Sequence, residues 1–209
     1  MGLVLRIEPD PGLWIGVPDT WPSGDWGSPE EWSTDLAKIL SGGSEQHEVS
    51  DAGGSAEGGE DAPAPGGALQ GALMVLACSR LDYPADRTYA YLGGLPASLC
   101  TLDVAVFPAE GEAGERHRYL GRADAPGSVG AVQVDDYTTE ALGRGSRVLR
   151  FDRGEEMDGD AELLASLRYF WRVGEEDVAV NVSAPGPLHL VEMIPAVEAL
   201  LESIEVVSA

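Results

Sequence analysis

From Leu163 to Val173 every second residue is apolar: Leu163, Ala165, Leu167, Tyr169, Trp171 and Val173. Val178, Val180 and Val182 repeat the alternation. A period of two sets one side of a pleated strand against a core and leaves the other side polar. Gly174-Glu175-Glu176-Asp177 between the runs reads as a four-residue turn, so the two strands are expected to form an antiparallel hairpin. With Val173 opposite Val178, Trp171 faces Val180 and Tyr169 faces Val182, and both apolar sets fall on one face. Pro185-Gly186-Pro187 stops the sheet. Leu190, Ile194, Val197, Leu201 and Ile204 then recur at helical spacing, on a helix able to return across the hairpin's apolar face.

The rest of the chain supplies more of the same sheet. Leu3, Leu5 and Ile7 alternate in a first strand, and Leu13–Val17 forms a second. Leu99–Phe107, Val129–Tyr137 and Ser146–Phe151 read as further strands, with Asp152–Asp160 an acidic turn into the hairpin. Leu69–Ser79 is almost continuously apolar and reads as a buried central strand. One helix is expected near the start. Ser28 caps it, Pro29 fits its first position and Glu31 completes a capping box. It runs to about Leu40, with Trp32, Leu36 and Ile39 on the apolar side. The fold class is therefore α+β, with an antiparallel sheet covered by helices.

Ser41–Gly67 breaks this pattern. It holds eight glycines, six acidic residues and no Lys or Arg, and Val49 is its only large aliphatic residue. Such a segment buries too little to offset its ordering entropy, so a disordered acidic insert at 41–67 is expected within a single domain spanning 1–209. It is either a solvated connection or a tether for a basic partner.

Across 209 residues, 36 acidic against 13 basic side chains give a net charge of −23. That surface repels phosphate backbones and anionic lipid, which argues against nucleic-acid and membrane-surface binding. It suits a basic protein partner, or serves solubility alone. Every basic residue except Lys38 is arginine. With the abundance of Ala and Gly, this points to a GC-rich, actinobacterium-like source. No apolar run reaches the length of a signal peptide or of a membrane span, about 18 residues, so a cytoplasmic protein is expected.

Tests for chemistry return little. The three histidines, His47, His117 and His189, are scattered, and no G-x-S-x-G elbow occurs. Gly143-Arg144-Gly145-Ser146 lacks the lysine of a phosphate loop, and Gly93-Gly94 opens no βαβ unit. The acids Asp152, Glu155, Glu156, Asp158 and Asp160 do not follow the EF-hand order. Adjacent Asp135 and Asp136 on a strand point to opposite faces. Cys78 and Cys100 read as two buried thiols. No catalytic residue, metal or cofactor is expected, and the chain reads as non-enzymatic. Two binding candidates stand out. Trp21, Asp25, Trp26 and Trp32 either build a partner-binding surface or close the core. Alternatively the chain is a small-ligand-binding protein or an enzyme, with Arg168, Arg172 and Tyr169, near Asn181 and Ser183, serving a pocket between sheet and helices.

Leu13-Trp14-Ile15-Gly16-Val17-Pro18-Asp19-Thr20-Trp21 resembles the apolar strand and Val-Pro-x-x-Trp entry of the PsbP-like superfamily. Tyr169-Phe170-Trp171, Val178–Val182 and the Leu188–Ile204 helix resemble that superfamily's C-terminal half. Gly145-Ser146-Arg147-Val148 resembles a strand of actinobacterial LpqN-like members. The resemblance covers the two ends of the chain. It implies an αβα sandwich with a central antiparallel sheet, covered by an N-terminal and a C-terminal helix. It also implies a binding or adaptor role, accessory to a secretion or toxin-related system, and transfers no functional residue.

Overall fold

The computed structural model describes residues 2–42, 65–82, 85–94, 99–111, 128–157 and 160–207. The expected single domain is laid out as two compact units. The larger comprises Met1–Val17, Pro84–Gly94 and Ser98–Ala209; the smaller comprises Pro18–Tyr83 with Leu95–Ala97. The class is α+β, with a seven-stranded antiparallel sheet and three helices among the described residues.

The larger unit contains the sheet. Its strands are β2 (Trp14–Val17), β3 (Arg87–Tyr91), β4 (Cys100–Pro108), β5 (Gln133–Thr139), β6 (Gly143–Met157), β7 (Asp160–Val173) and β8 (Glu176–Ala184). Their order is β2-β3-β4-β8-β7-β6-β5. The chain opens in a strand, β1 (Val4–Arg6), which pairs outside this sheet with the closing strand β9 (Glu205–Val207). Helix α3 (Pro187–Glu202) packs on β7, β8 and β4. It buries Leu190, Met193, Val197, Leu200 and Leu201 against Leu102, Val104, Leu167, Tyr169, Trp171, Val178, Val180 and Val182. Each fully buried aliphatic or aromatic side chain here is worth about 1.5–3 kcal/mol. The burial follows the period-two alternation: odd residues of β7 and even residues of β8 face α3.

The β7–β8 hairpin forms, in a register two residues from the expected one. Val173 pairs with Glu176, Trp171 with Val178 and Tyr169 with Val180. The loop is only Gly174-Glu175, and Gly174 supplies a φ of +63° that other residues rarely adopt. This register sets Arg172 opposite Asp177. The guanidinium binds that carboxylate through two hydrogen bonds, Nε–Oδ1 at 2.8 Å and Nη2–Oδ2 at 3.1 Å, and also donates to the Gly111 carbonyl at 2.7 Å. A slip of two preserves faces, so the apolar pattern alone does not distinguish the registers; the charge pair does.

Two other expectations are corrected. Asp152–Asp160 is not a turn: β6 runs to Met157 with a bulge between Arg153 and Glu156, and β7 begins at Asp160. Leu69–Ser79 is not a strand; it lies in helix α2 (Pro65–Asp82) of the smaller unit. An unbroken apolar run suits either element, and here composition decides. The segment is rich in Ala and Leu, contains Met74 and Gln70, and has Val75 as its only β-branched residue. As a helix it buries Leu69, Leu73 and Ala77, four residues apart, and leaves Val75 exposed. The central strand assigned to this run is supplied by β4–β8 pairing, with Thr101 opposite Ser183 and Val104 opposite Val180.

In the smaller unit α2 packs beside α1 (Pro29–Gly42). The Gln70 amide donates to Thr34 Oγ1 at 2.8 Å. Ser28 accepts a hydrogen bond from the Glu31 amide at 3.3 Å, as a cap should. Glu31 reaches back one residue further than expected, to the Gly27 amide at 2.6 Å. Trp32, Leu36 and Ala37 are buried, whereas Ile39 is exposed and leaves the expected apolar stripe. Residues 43–64, most of the expected disordered insert, lie outside the described residues, while its two ends continue α1 and begin α2.

Gly145 of β6 has no room for a side chain: a Cβ would run into the Phe170 carbonyl oxygen and sit 2.6 Å from Trp171 Cδ1. Neither the strand nor the stacked indole can yield cheaply. Gly145→Ala should therefore cost about 2–3 kcal/mol in urea unfolding, whereas Gly71→Ala, inside α2 where a Cβ meets nothing, should raise stability by about 0.5–1 kcal/mol.

Candidate functional sites

Three places combine polar chemistry with defined geometry, and each lies within one unit. The first is the tryptophan loop of the smaller unit. Ser23 and Trp26 exchange backbone hydrogen bonds at 2.9 and 3.1 Å, closing a tight turn around Gly24 and Asp25. Gly24 takes a φ of +56° there. The Trp21–Pro22 peptide is cis. Trp21 meets Trp32 edge-on, ring centroids 6.4 Å apart. Trp32 is fully buried, so it closes the core and anchors the loop; it is withdrawn from the partner-binding set. Trp21 and Trp26 are part-exposed, and Asp19, Asp25 and Glu30 around them are exposed. Among the described residues none of these three carboxylates forms an ion pair.

The second place is the sheet face turned away from α3. Arg168, Asn181 and Ser183 lie on it, as the alternation requires. Tyr169, one residue on, faces α3, so the proposed trio of Arg168, Arg172 and Tyr169 is not one site. Arg172 is committed to Asp177 and to loop carbonyls. Arg168 lines a groove of about 320 Å³ with Thr101, Asp152, Ser166, Ser183 and Leu164. The groove lies on this sheet face rather than in a pocket between sheet and helices. Its Asp152 is neutralised by Arg150 at 2.6 Å and accepts from Ser128 at 3.1 Å. Thr101 and Asp152 were not legible as site residues. The β4–β8 and β6–β7 pairings bring them beside Arg168, and the β4–β8 pairing has no local signal, while the acidic segment between β6 and β7 does not reveal their register.

The third place is an aromatic cluster beneath α3. Tyr137 meets Tyr169 edge-on at 4.8 Å and Trp171 at 6.0 Å, while Tyr169 and Trp171 stack at 5.9 Å. Trp171 Nε1 is buried without a hydrogen-bond partner among the described residues, and the buried Tyr169 Oη has the Arg147 guanidinium as its polar neighbour. Arg147 alongside binds Asp135 at 3.2 Å and Glu198 at 3.5 Å. Burial, reinforced by Glu198 and Glu202, pushes the Tyr137 hydroxyl up to about 12. Burial first, then Tyr137 and Glu198, also raises Tyr169, against an opposing pull from Arg147.

Among the described residues no group of three or more His, Cys, Asp or Glu could hold a metal ion, and no helix is long and apolar enough to cross a membrane. Cys100 is buried on β4, as expected, but Cys78 is exposed on α2, because the segment is a helix with two sides.

Both raised phenols favour the protonated form in the fold. Their contribution to stability is complete below the unfolded phenol's value, about 10, and is lost as pH rises through the folded values. Absorbance titration at 295 nm should show their tyrosinate signals appearing only above about pH 12 or together with unfolding. At neutral pH, Tyr169→Phe removes a buried hydroxyl whose polar neighbour is the Arg147 guanidinium in poor hydrogen-bond geometry, and should change stability in urea by less than about 1 kcal/mol; a larger loss would mean that Arg147 satisfies the hydroxyl in solution. No family model and no curated protein matches the chain.

Proposed function

We propose that the chain is a non-enzymatic, cytoplasmic binding protein of PsbP-like type that docks a basic segment of a protein partner on its tryptophan loop. It takes the αβα sandwich arrangement such proteins share and serves as an adaptor, in keeping with an accessory role in a secretion or toxin-related system. One observation carries this function: a cross-bridged turn holds Trp21 and Trp26 part-exposed among Asp19, Asp25 and Glu30, none of which has a cationic partner among the described residues.

The physics suits recognition. Two part-exposed indoles provide apolar area at low entropic cost, and interface energy concentrates in such residues. Carboxylates around them attract arginine or lysine and speed encounter. An indole face also attracts a guanidinium directly, worth about 0.5–1 kcal/mol when exposed. The packing of Trp21 on buried Trp32 holds the loop in one shape before binding, which lowers the ordering cost.

Capture from an actinobacterial lysate, read by mass spectrometry, tests this function. The intact chain should retain a stoichiometric partner with a basic contact segment. Trp26→Ala should weaken that complex by about 2 kcal/mol, and Asp19→Lys with Asp25→Lys should slow association and reduce its salt dependence. Circular dichroism should show all variants folded. A partner held equally by the wild type and by Trp21→Ala/Trp26→Ala would place binding elsewhere.

A further inference from the structure

The groove on the sheet face away from α3 has a property that the tryptophan loop does not explain. Its guanidinium lacks a carboxylate in a protein with 36 acidic and 13 basic residues. Arg147, Arg150 and Arg172 each bind an Asp or Glu. Arg168, equally part-buried, donates from Nε to the neutral Asn181 Oδ1 at 3.0 Å and makes no ion pair among the described residues. A partly desolvated charge with no counter-charge costs free energy, and a bound anion is the direct way to recover it.

The neighbouring side chains fit that occupant. Thr101 is opposite Ser183 across β4 and β8, and Ser183 is opposite Ser166 across β8 and β7. The three hydroxyls therefore form one row on the same face, spaced by about 5 Å, with Arg168 in the next row. Ser166 Oγ is buried without a hydrogen-bond partner, so a donor or acceptor is still to be met there. Asp152 does not oppose an anion, because Arg150 holds it. The groove is walled by Leu99, Leu164 and Pro185, and its volume, about 320 Å³, lies at the small end for ligand sites.

We propose that this groove binds a small carboxylic acid with a short apolar body. The carboxylate takes the free edge of the Arg168 guanidinium, and the hydroxyl row of Ser166, Ser183 and Thr101 donates to its oxygens. The apolar body lies against Leu99, Leu164 and Pro185. The site belongs wholly to the larger unit and does not rest on the tryptophan-loop function.

Benzoate is a suitable probe, with benzamide as its neutral twin and inorganic phosphate as an anion without an apolar body. Two-dimensional amide NMR of the full chain should show saturable shifts at Ser166, Arg168 and Ser183 with benzoate and none with benzamide. Arg168→Gln should weaken benzoate at least about tenfold while the remaining spectrum is unchanged. Ser166→Asp supplies an internal carboxylate beside Arg168 and should abolish benzoate binding in a folded protein. Trp26→Ala should leave benzoate affinity unchanged, which separates this site from the partner surface. The proposal is overturned if benzoate gives no saturable shift, or if benzamide or phosphate binds as well as benzoate. It is equally overturned if folded Arg168→Gln binds benzoate as the wild type does.

Discussion

Everything in the larger unit depends on one buried contact, the apolar face of the β7–β8 hairpin under α3. Leu167, Tyr169 and Trp171 on one strand and Val178, Val180 and Val182 on the next are each at most 1% exposed. Helix α3 seals them with Leu190, Met193, Val197 and Leu201. The hairpin is also the middle of the sheet: β8 receives β4, and β7 receives β6. A single apolar strand pair thus seats the helix and carries a neighbour on each flank. The face it leaves behind is free to be polar, and there the unpaired guanidinium of Arg168 lies.

Tyr169 and Arg168 are adjacent in sequence and opposite in function. One is sealed in the core with its phenol pushed up by burial; the other faces the groove with a charge to satisfy. The same division of labour runs along β7, where Ser166, Arg168 and Arg172 alternate with Leu167, Tyr169 and Trp171; Phe170 is the exception, a buried ring on the otherwise polar side. Core and site are two sides of one pattern, so the site is held to the precision of the core beneath it.

Much of this was legible from residues alone, and the failures have physical causes. Period-two alternation located β7 and β8, and helical spacing located α3, because in each the local preference and the tertiary role agree. The capping residues of α1 were legible for the same reason. Leu69–Ser79 was misassigned because an apolar run without periodicity fits two elements, and its Ala- and Leu-rich composition is the better guide. The hairpin register was missed by two because hydrophobicity cannot sense an even shift, whereas the Arg172–Asp177 pair can. Of the candidate site residues, Trp21, Asp25 and Trp26 share one loop, as their spacing suggested. Trp32 turned inward, and the Arg168 groove depends on the distant pairing of β4 with β8, which no local window contains.

The order of the strands also leaves the sheet with two ends. At one lies β2, only four residues long, followed directly by Pro18. At the other lies β5, whose Asp135 and Asp136 are tied to Arg147 and Arg144 of β6. A short strand closed by proline offers little template to an incoming chain, and a charged border strand makes an added one costly. The acids that look like a failed catalytic pair in sequence thus act as a guard rail. Together with the arginines that hold them they line the border strand with charged side chains, which an added strand would have to desolvate.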